Sequence, residues 1–147
     1  MDVIDQQIIA LLRENARRSF QDIGSRVSLS APAVKRRVDK LEQDGVIKGY
    51  SAIIDPASLG WNTLAIVELY CEGRMPASQV KANLERHEEV VSAYTVAGES
   101  AAVVLLRARD TEHLERTLEM IREPPGVMRT QTQVVLSALL ERPIAES

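Results

Sequence analysis

The chain has 147 residues and a formal net charge of −3, and 45% of its residues are hydrophobic while 27% are charged. This composition excludes a disordered chain, and the longest apolar run, Ala101 to Leu106, is too short to cross a bilayer. Because the amino terminus lacks a basic segment and Cys71 is the single cysteine, we expect no signal peptide, no disulfide within the chain and a cytoplasmic location.

Two helices are predicted within the first 27 residues. In the first helix, apolar side chains recur with the spacing of one helical face, and Asp2 can cap the start. In the second, Ser19 and Asp22 have capping-box spacing, so each side chain is expected to accept a hydrogen bond from the other's backbone N–H. The apolar faces consist of Ile4, Ile8, Leu11 and Leu12 in the first helix and Phe20, Ile23 and Val27 in the second.

A third helix is predicted after a tight turn at Ser28 and Leu29. Ser30 can cap this helix, and Gly45 is expected to end it. At about 100° per residue, its apolar stripe faces inward and its basic side chains lie on or beside the exposed arc. The stripe consists of Val34, Val38 and Leu41.

These bases stand out because the chain as a whole is acidic. Residues 1–55 hold nine Lys and Arg against eight Asp and Glu, whereas the remaining residues hold nine against 13. Exposed charges more than about 10 Å apart are screened by salt, so a locally basic helix can approach a polyanion. A merely solvated helix face is the alternative interpretation.

Residues 46–54 predict a two-stranded wing, which completes the pattern of a winged helix-turn-helix. In that fold the third helix enters the major groove, and contacts from Arg and Lys to phosphates supply much of the affinity. We therefore predict binding to double-stranded DNA. The residues expected at the DNA are Ser30, Ala31, Ala33, Lys35, Arg36, Arg37 and Lys40.

The second half predicts a small sheet domain after a linker at residues 55–60, which is rich in Pro, Ser and Gly. The order β-α-β-β-α-β is ferredoxin-like, so the fold class is α+β, with a DNA-binding domain and linker at 1–60 and a second domain at 61–147. The predicted elements are strands at 63–71, 90–97, 101–108 (expected to be central) and 127–140, a helix at 76–86, and a helix that Thr111 caps and Pro124 ends.

A series of short motifs runs along nearly the whole chain. The motifs are Asp5, Arg17 to Ser19, Ser30 to Val38, Leu41-Glu42, Gly45 to Ile47, Asp55-Pro56, Leu59-Gly60, Val96 to Gly98, Pro125 to Val127 and Arg129 to Thr132. In order and spacing they resemble the Lrp/AsnC family of bacterial and archaeal transcription regulators. The resemblance implies a regulator without catalytic activity or cofactor, a homodimer formed through the sheet domain, further assembly such as an octamer, and an amino acid or related small molecule as effector near dimer–dimer contacts.

The sequence departs from the family pattern at two places. Family members usually have alanine and glycine where this chain has Gly24 and Ser28. Their ligand loop commonly reads Gly-Asp-Tyr/Phe-Asp, whereas this loop ends on Ala101, so Glu99 is left to supply the negative charge. The resemblance implies an effector site built from Gly98, Glu99, Ser100, Ala101, Thr111, Thr130, Thr132 and Gln133.

Other functions are less well supported by the sequence. His87 and His113 have no cysteine cluster nearby, and the adjoining pair Glu88-Glu89 is expected to be a solvated helix end rather than a metal site. No glycine-rich phosphate loop or nucleophile elbow occurs in the sequence. The alternatives are a sirohaem-decarboxylase-like enzyme on the same architecture, an architectural DNA-binding protein without an effector, and an ordinary turn that binds nothing at the loop.

Overall fold

The computed structural model describes residues 1–73 and 75–141. Residues 142–147, the end of the predicted second domain, therefore lie outside the described residues. The chain divides into two units, Met1–Ile53 and Ile54–Ala138. None of the helices in the described ranges has the length and apolar character that a membrane span requires.

Three helices make up the first unit: α1 (Val3–Glu14), α2 (Phe20–Val27) and α3 (Ala31–Gln43). Their predicted apolar stripes face one another, and Ile8, Ile23 and Val34 are fully buried at the centre. The predicted helix-turn-helix is confirmed. Removing these side chains from water drives the three helices together, since each fully buried aliphatic side chain contributes roughly 1.5–3 kcal/mol.

In the first unit the predicted helix caps form, except that the capping box of α2 is only half made. Asp2 and Asp5 make a reciprocal capping box at the start of α1. At α2, Ser19 Oγ accepts the Asp22 N–H at 3.1 Å, but the reciprocal half of the predicted box is wrong. The Asp22 carboxylate binds the guanidinium groups of Arg18 and Arg26 instead, at 2.9 and 3.3 Å.

The turn between α2 and α3 explains the departure at positions 24 and 28. Gly24 is buried, and the Leu29 N–H donates to its carbonyl oxygen at 2.9 Å. A Cβ at position 24 would overlap the carbonyl oxygen of Leu29. Ser28 has the left-handed backbone conformation, φ 58° and ψ 41°, that favours glycine. The turn therefore requires glycine at the first position and tolerates serine at the second at some energetic cost.

The predicted wing does not form as strands. Residues 46–54 are all described, and none of them is in a strand. The N–H groups of Val46 and Ile47 both donate to the carbonyl oxygen of Leu41, at 2.9 and 3.1 Å, so the end of α3 uses the donors that a first strand would need. An isolated two-stranded ribbon is marginally stable, and the segment stays irregular with Ile53 exposed.

The second unit is a four-stranded antiparallel sheet with two helices on one face, which confirms the ferredoxin-like prediction. The strand order is β2-β3-β1-β4, so β3 is central as expected. After a 3-10 turn at Pro56–Leu59, the elements are β1 (Thr63–Cys71), α4 (Ala77–Leu84), β2 (Val90–Thr95), β3 (Ala102–Ala108), α5 (Thr111–Arg122) and β4 (Val127–Val134).

Several predicted boundaries in this unit are wrong. α4 ends at Leu84 rather than Arg86, and β2 ends at Thr95 rather than Ala97. The last strand ends at Val134 rather than Leu140, because its partner β1 begins at Thr63 and the Val135 N–H already bonds Leu64. The cap of α5 is the residue before Thr111: Asp110 accepts the His113 N–H at 2.7 Å.

The two faces of the sheet differ sharply. Alternate residues of β1, among them Val67 and Leu69, are buried under α4 and α5. The opposite, open face carries Ile66, which is 37% exposed, and Tyr70, whose hydroxyl donates to Glu68 at 2.7 Å. The Arg129 guanidinium carbon lies 3.6 Å from the centroid of the Tyr70 ring. This open face is thus aromatic, aliphatic and charged at once.

The α2–α3 turn yields a pair of opposite stability predictions. Ser28→Gly should raise the free energy of unfolding by about 1 kcal/mol, because glycine removes the left-handed strain. Gly24→Ala should lower it by about 1–3 kcal/mol, because the new methyl group meets the Leu29 carbonyl. Thermal or urea unfolding measures both changes. Gln21→Ala, an exposed neighbour in α2, is the control and should shift stability by no more than about 0.5 kcal/mol. A stabilising Gly24→Ala would contradict the geometry.

Candidate DNA and effector sites

Arg36 is the one basic residue of α3 that has no hydrogen bond or ion pair to any described residue. Its side chain is exposed, opposite the buried stripe. The other bases are paired: Lys35 Nζ lies 2.6 Å from Asp39, and Lys40 Nζ lies 3.1 Å from Asp44. Both pairs are exposed and one helical turn apart, so each contributes well under 1 kcal/mol and can open to another anion.

Arg37 is placed differently from its neighbours. Its Nη1 atom lies 2.8 Å from Asp2 Oδ2 and 2.7 Å from Asp5 Oδ1, the two acids that cap α1. Backbone hydrogen bonds first, and then the hydrogen bond from Arg37, hold the pKa of both carboxyl groups below the usual value of 3.8. The structure therefore places Arg37 between α3 and α1, beside rather than on the outward arc.

The start of α3 presents small side chains. Ser30 Oγ accepts the Ala33 N–H at 3.4 Å, so its hydroxyl oxygen serves as the helix cap. Ala31 and Ala33 are half-buried, and the first turn contains no acid. The positive end of the helix dipole is therefore not neutralised there, which favours an approaching anion.

The predicted effector loop joins β2 to β3 at one end of the sheet. Gly98 has φ 149°, Glu99 is exposed, and the Ala101 N–H donates to the Leu69 carbonyl at 2.8 Å. This last bond fixes the end of the loop against β1. Leu69 of β1 pairs with Ala102 on one side and with Thr130 of β4 on the other. Thr130 therefore lies about two strand spacings, or roughly 10 Å, from Ala102.

The structure divides the rest of the predicted effector set. Thr130 and Thr132 pair with Leu69 and Val67 and so lie half-buried on the helix-covered face, but Gln133 pairs with Ile66 and lies on the open face. Thr111 follows the far end of the seven-residue β3, about 20 Å from the loop. Within one chain, Thr111 and Gln133 do not face the loop.

A groove of about 450 Å³ lies between α4 and β2, beside this loop. Thr95 and Ala102, which flank the loop, form part of its lining together with apolar residues of α4. Lys81 and Glu85 contribute one charge of each sign. No local sequence pattern indicates this groove, because the groove depends on how far α4 covers the edge strand β2.

A second unforeseen cluster surrounds His113. Its Nδ1 atom accepts the Arg109 N–H at 3.2 Å and its Nε2 atom lies 2.9 Å from Glu89 Oε1. In the neutral tautomer with its proton on Nε2, the ring can accept the Arg109 N–H at Nδ1 and donate to Glu89 from Nε2. Trp61 stacks on the imidazole at 6.1 Å between ring centroids.

The expectation that Glu88-Glu89 is a solvated helix end is wrong for Glu89, which is only 7% exposed. Burial alone would raise the pKa of its carboxyl group, but its backbone hydrogen bond and His113 lower the pKa overall. Among the residues at 1–73 and 75–141, no group of three or more His, Cys, Asp or Glu side chains is arranged to hold a metal ion.

Comparison with known families gives matches over both units. The model of the AsnC-type helix-turn-helix domain matches residues 1–42, and the model of the Lrp/AsnC ligand binding domain matches residues 64–145. The chain is 49% identical over 142 residues to the HTH-type transcriptional regulator Rv2324 of Mycobacterium tuberculosis, covering 97% of this chain and 96% of that protein.

Solved structures are also similar over almost the full length. Escherichia coli AsnC superposes with a TM-score of 0.92 at 25% identity, covering 99% of this chain and 98% of that one. The feast or famine regulatory protein Rv3291c of M. tuberculosis, complexed with L-methionine, superposes with a TM-score of 0.87 at 35% identity, covering 95% of each chain.

Proposed function

The chain belongs to the Lrp/AsnC family of transcriptional regulators, and we propose that it binds operator DNA through α3 and that an amino acid bound near the Gly98–Ala101 loop alters this binding. The observation that carries the DNA part is the exposed Arg36 on a helix-turn-helix, which forms no ion pair with any residue that the structure describes. In this proposal residues 1–60 contact DNA and supply the linker, while residues 61–147 bind the effector and form the assembly.

On α3, the basic side chains and the small side chains are suited to different contacts with DNA. Arg36 can reach a base edge or a phosphate without breaking a hydrogen bond to residues 1–73 or 75–141. The exposed pairs of Lys35 and Lys40 can exchange their carboxylates for phosphates at little cost. Ser30, Ala31 and Ala33 are small enough to let the start of the helix approach the bases closely.

Amino acids are favoured as effectors by the loop's chemistry and by the L-methionine in the similar Rv3291c structure. Glu99 would pair with the ligand's ammonium group, with Gly98, Ser100 and Ala101 lining the loop. Thr130 and Thr132 lie on β4, which β1 separates from the loop strand β3, and the groove between α4 and β2 would receive the apolar part of the ligand. Thr111 and Gln133 join this site only from another subunit.

The open face of the sheet supports a homodimer. Ile66 and Tyr94 are exposed there, 37% and 64% respectively, and covering such a face stabilises a two-fold assembly. Contacts between dimers would build a larger assembly such as an octamer. A regulator of DNA acts where the chromosome is, which supports a cytoplasmic location, and the name of the similar Rv2324 supports a role without catalysis.

Substituting Arg36 tests the DNA-binding face. Arg36→Ala should weaken operator binding and reduce the slope of log affinity against log salt by about 0.9, because one phosphate contact is lost. Fluorescence anisotropy across a salt series measures both quantities. Arg86→Ala, an exposed base of the second unit, is the control and should leave both unchanged. Identical curves for wild type and Arg36→Ala would contradict the proposal.

Light scattering tests the assembly. The wild type should be at least a dimer at micromolar concentration, and Ile66→Asp should dissociate it, because the substitution replaces an aliphatic contact by a carboxylate that loses its hydration when the two sheets meet. Val3→Asp, an exposed aliphatic residue in the first unit, serves as the matched control. A monomeric wild type would rule out the sheet-mediated dimer.

Calorimetry tests the effector site with the amino acid that first raises the melting temperature in a screen of all twenty. Glu99→Ala should weaken its binding roughly 10- to 100-fold, as expected for the loss of a charge-assisted hydrogen bond, while effector-free DNA affinity stays the same. Glu115→Ala, an exposed acid on α5, is the control. Equal ligand affinity in Glu99→Ala would remove Glu99 from the site, and a screen without any hit would favour an architectural protein.

A further inference from the structure

We propose that Arg37 is a positioning residue for DNA binding: it holds α3 against the capping box of α1 and does not itself contact DNA. The inference rests on the proposed function of α3 as the DNA-contacting helix. It changes the role first expected for Arg37, which the sequence grouped with the DNA-contacting bases.

The contact is a closed ring of hydrogen bonds. Asp2 accepts the Asp5 N–H on Oδ1 at 2.8 Å, and Asp5 accepts the Asp2 N–H on Oδ2 at 2.9 Å. Arg37 Nη1 donates to the two remaining oxygens, Asp2 Oδ2 and Asp5 Oδ1, at 2.8 and 2.7 Å. All four carboxylate oxygens are thus used, two for the helix cap and two for the guanidinium.

Burial separates this contact from the other ion pairs of α3. The Arg37 side chain is 30% exposed and that of Asp5 only 15%, whereas Lys35 and Lys40 are 60% and 75% exposed. A partly buried pair is less screened by water and salt than a surface pair. The ring also spans 32 to 35 residues of sequence, so it joins two helices rather than successive turns of one helix.

Turning Arg37 toward DNA would have two costs. Both bonds to the capping box would break, and the half-buried Asp5 would lose the cation that balances it. Arg36, one residue earlier, points outward and has no such bonds to break. The two neighbouring arginines are therefore suited to different tasks, one to contact DNA and the other to fix the angle at which α3 meets it.

The sign of a charge substitution distinguishes positioning from contact. If Arg37 contacts DNA, Asp5→Asn removes a competitor for its charge and a repulsion from the phosphates, so affinity should rise. If Arg37 positions α3, Asp5→Asn loosens the helix and affinity should fall. Asp39→Asn supplies the matched charge control, because it removes an exposed acid from α3 and frees Lys35; its affinity should rise or stay the same.

The experiment measures operator affinity and its salt slope for the full-length variants well below their melting temperatures. Asp5→Asn and Arg37→Gln should each lose roughly 2- to 30-fold in affinity with an unchanged salt slope. Ile8→Val, a buried change in α1, is the stability control and should lower the melting temperature without loss of affinity. Arg37→Lys should recover part of the loss, since it keeps the charge but not the guanidinium geometry.

Asp2→Asn provides a second test of the same contact if the Asp5→Asn variant does not fold. Asparagine caps helices as well as aspartate does, so this variant keeps the cap and removes only an acceptor of Arg37; its affinity should also fall. Higher affinity in Asp5→Asn or Asp2→Asn, or a salt slope reduced by about 0.9 in Arg37→Gln, would overturn the positioning role. Arg36→Ala separates the two proposals. If this variant binds operator DNA with wild-type affinity and salt slope, the proposal that α3 contacts DNA is itself wrong.

Discussion

The pairing of bases with acids inside the first unit determines what its third helix can offer to a partner. Three of the four basic side chains between Lys35 and Lys40 already have a carboxylate within hydrogen-bonding distance. Two of these pairs are surface pairs that open readily, one joins two helices, and Arg36 has no partner among the described residues. The basic side chains of α3 therefore differ in the free energy needed to leave their present contacts. This energy is small for the two surface pairs and larger for Arg37.

In the second unit, strand geometry plays the corresponding role. Side chains alternate between the faces of a sheet, so neighbouring polar residues of β4 such as Thr132 and Gln133 cannot meet one ligand from a single chain. The start of α5 is separated from the loop at Gly98 by the length of β3. A ligand site that used all of these residues would require more than one copy of the chain, so the proposed effector site would depend on assembly.

The sequence was informative where structure depends on nearby residues. The helices of the first unit, the caps at Asp2 and Ser19, and the order of strands and helices in the second follow from short-range spacing, and they are confirmed. The wing strands failed because the carbonyl of Leu41 takes up two backbone donors, a competition that side-chain patterns do not reveal.

Long-range contacts were beyond the reach of the sequence. The bonds from Arg37 to Asp2 and Asp5 span more than 30 residues, and the bond between Glu89 and His113 spans 24. In both cases the residue types alone favoured a solvated or DNA-facing position. Only the packing of helices and strands brings the partners together, and no local periodicity specifies that packing.

The stacking of Trp61 on His113 has a practical consequence for spectroscopy. The chain has a single tryptophan, so its indole emission comes from one known place, shortly after the 3-10 turn and beside the start of α5. The protein thus contains its own optical reporter within the second unit, and labelling with an external dye is unnecessary.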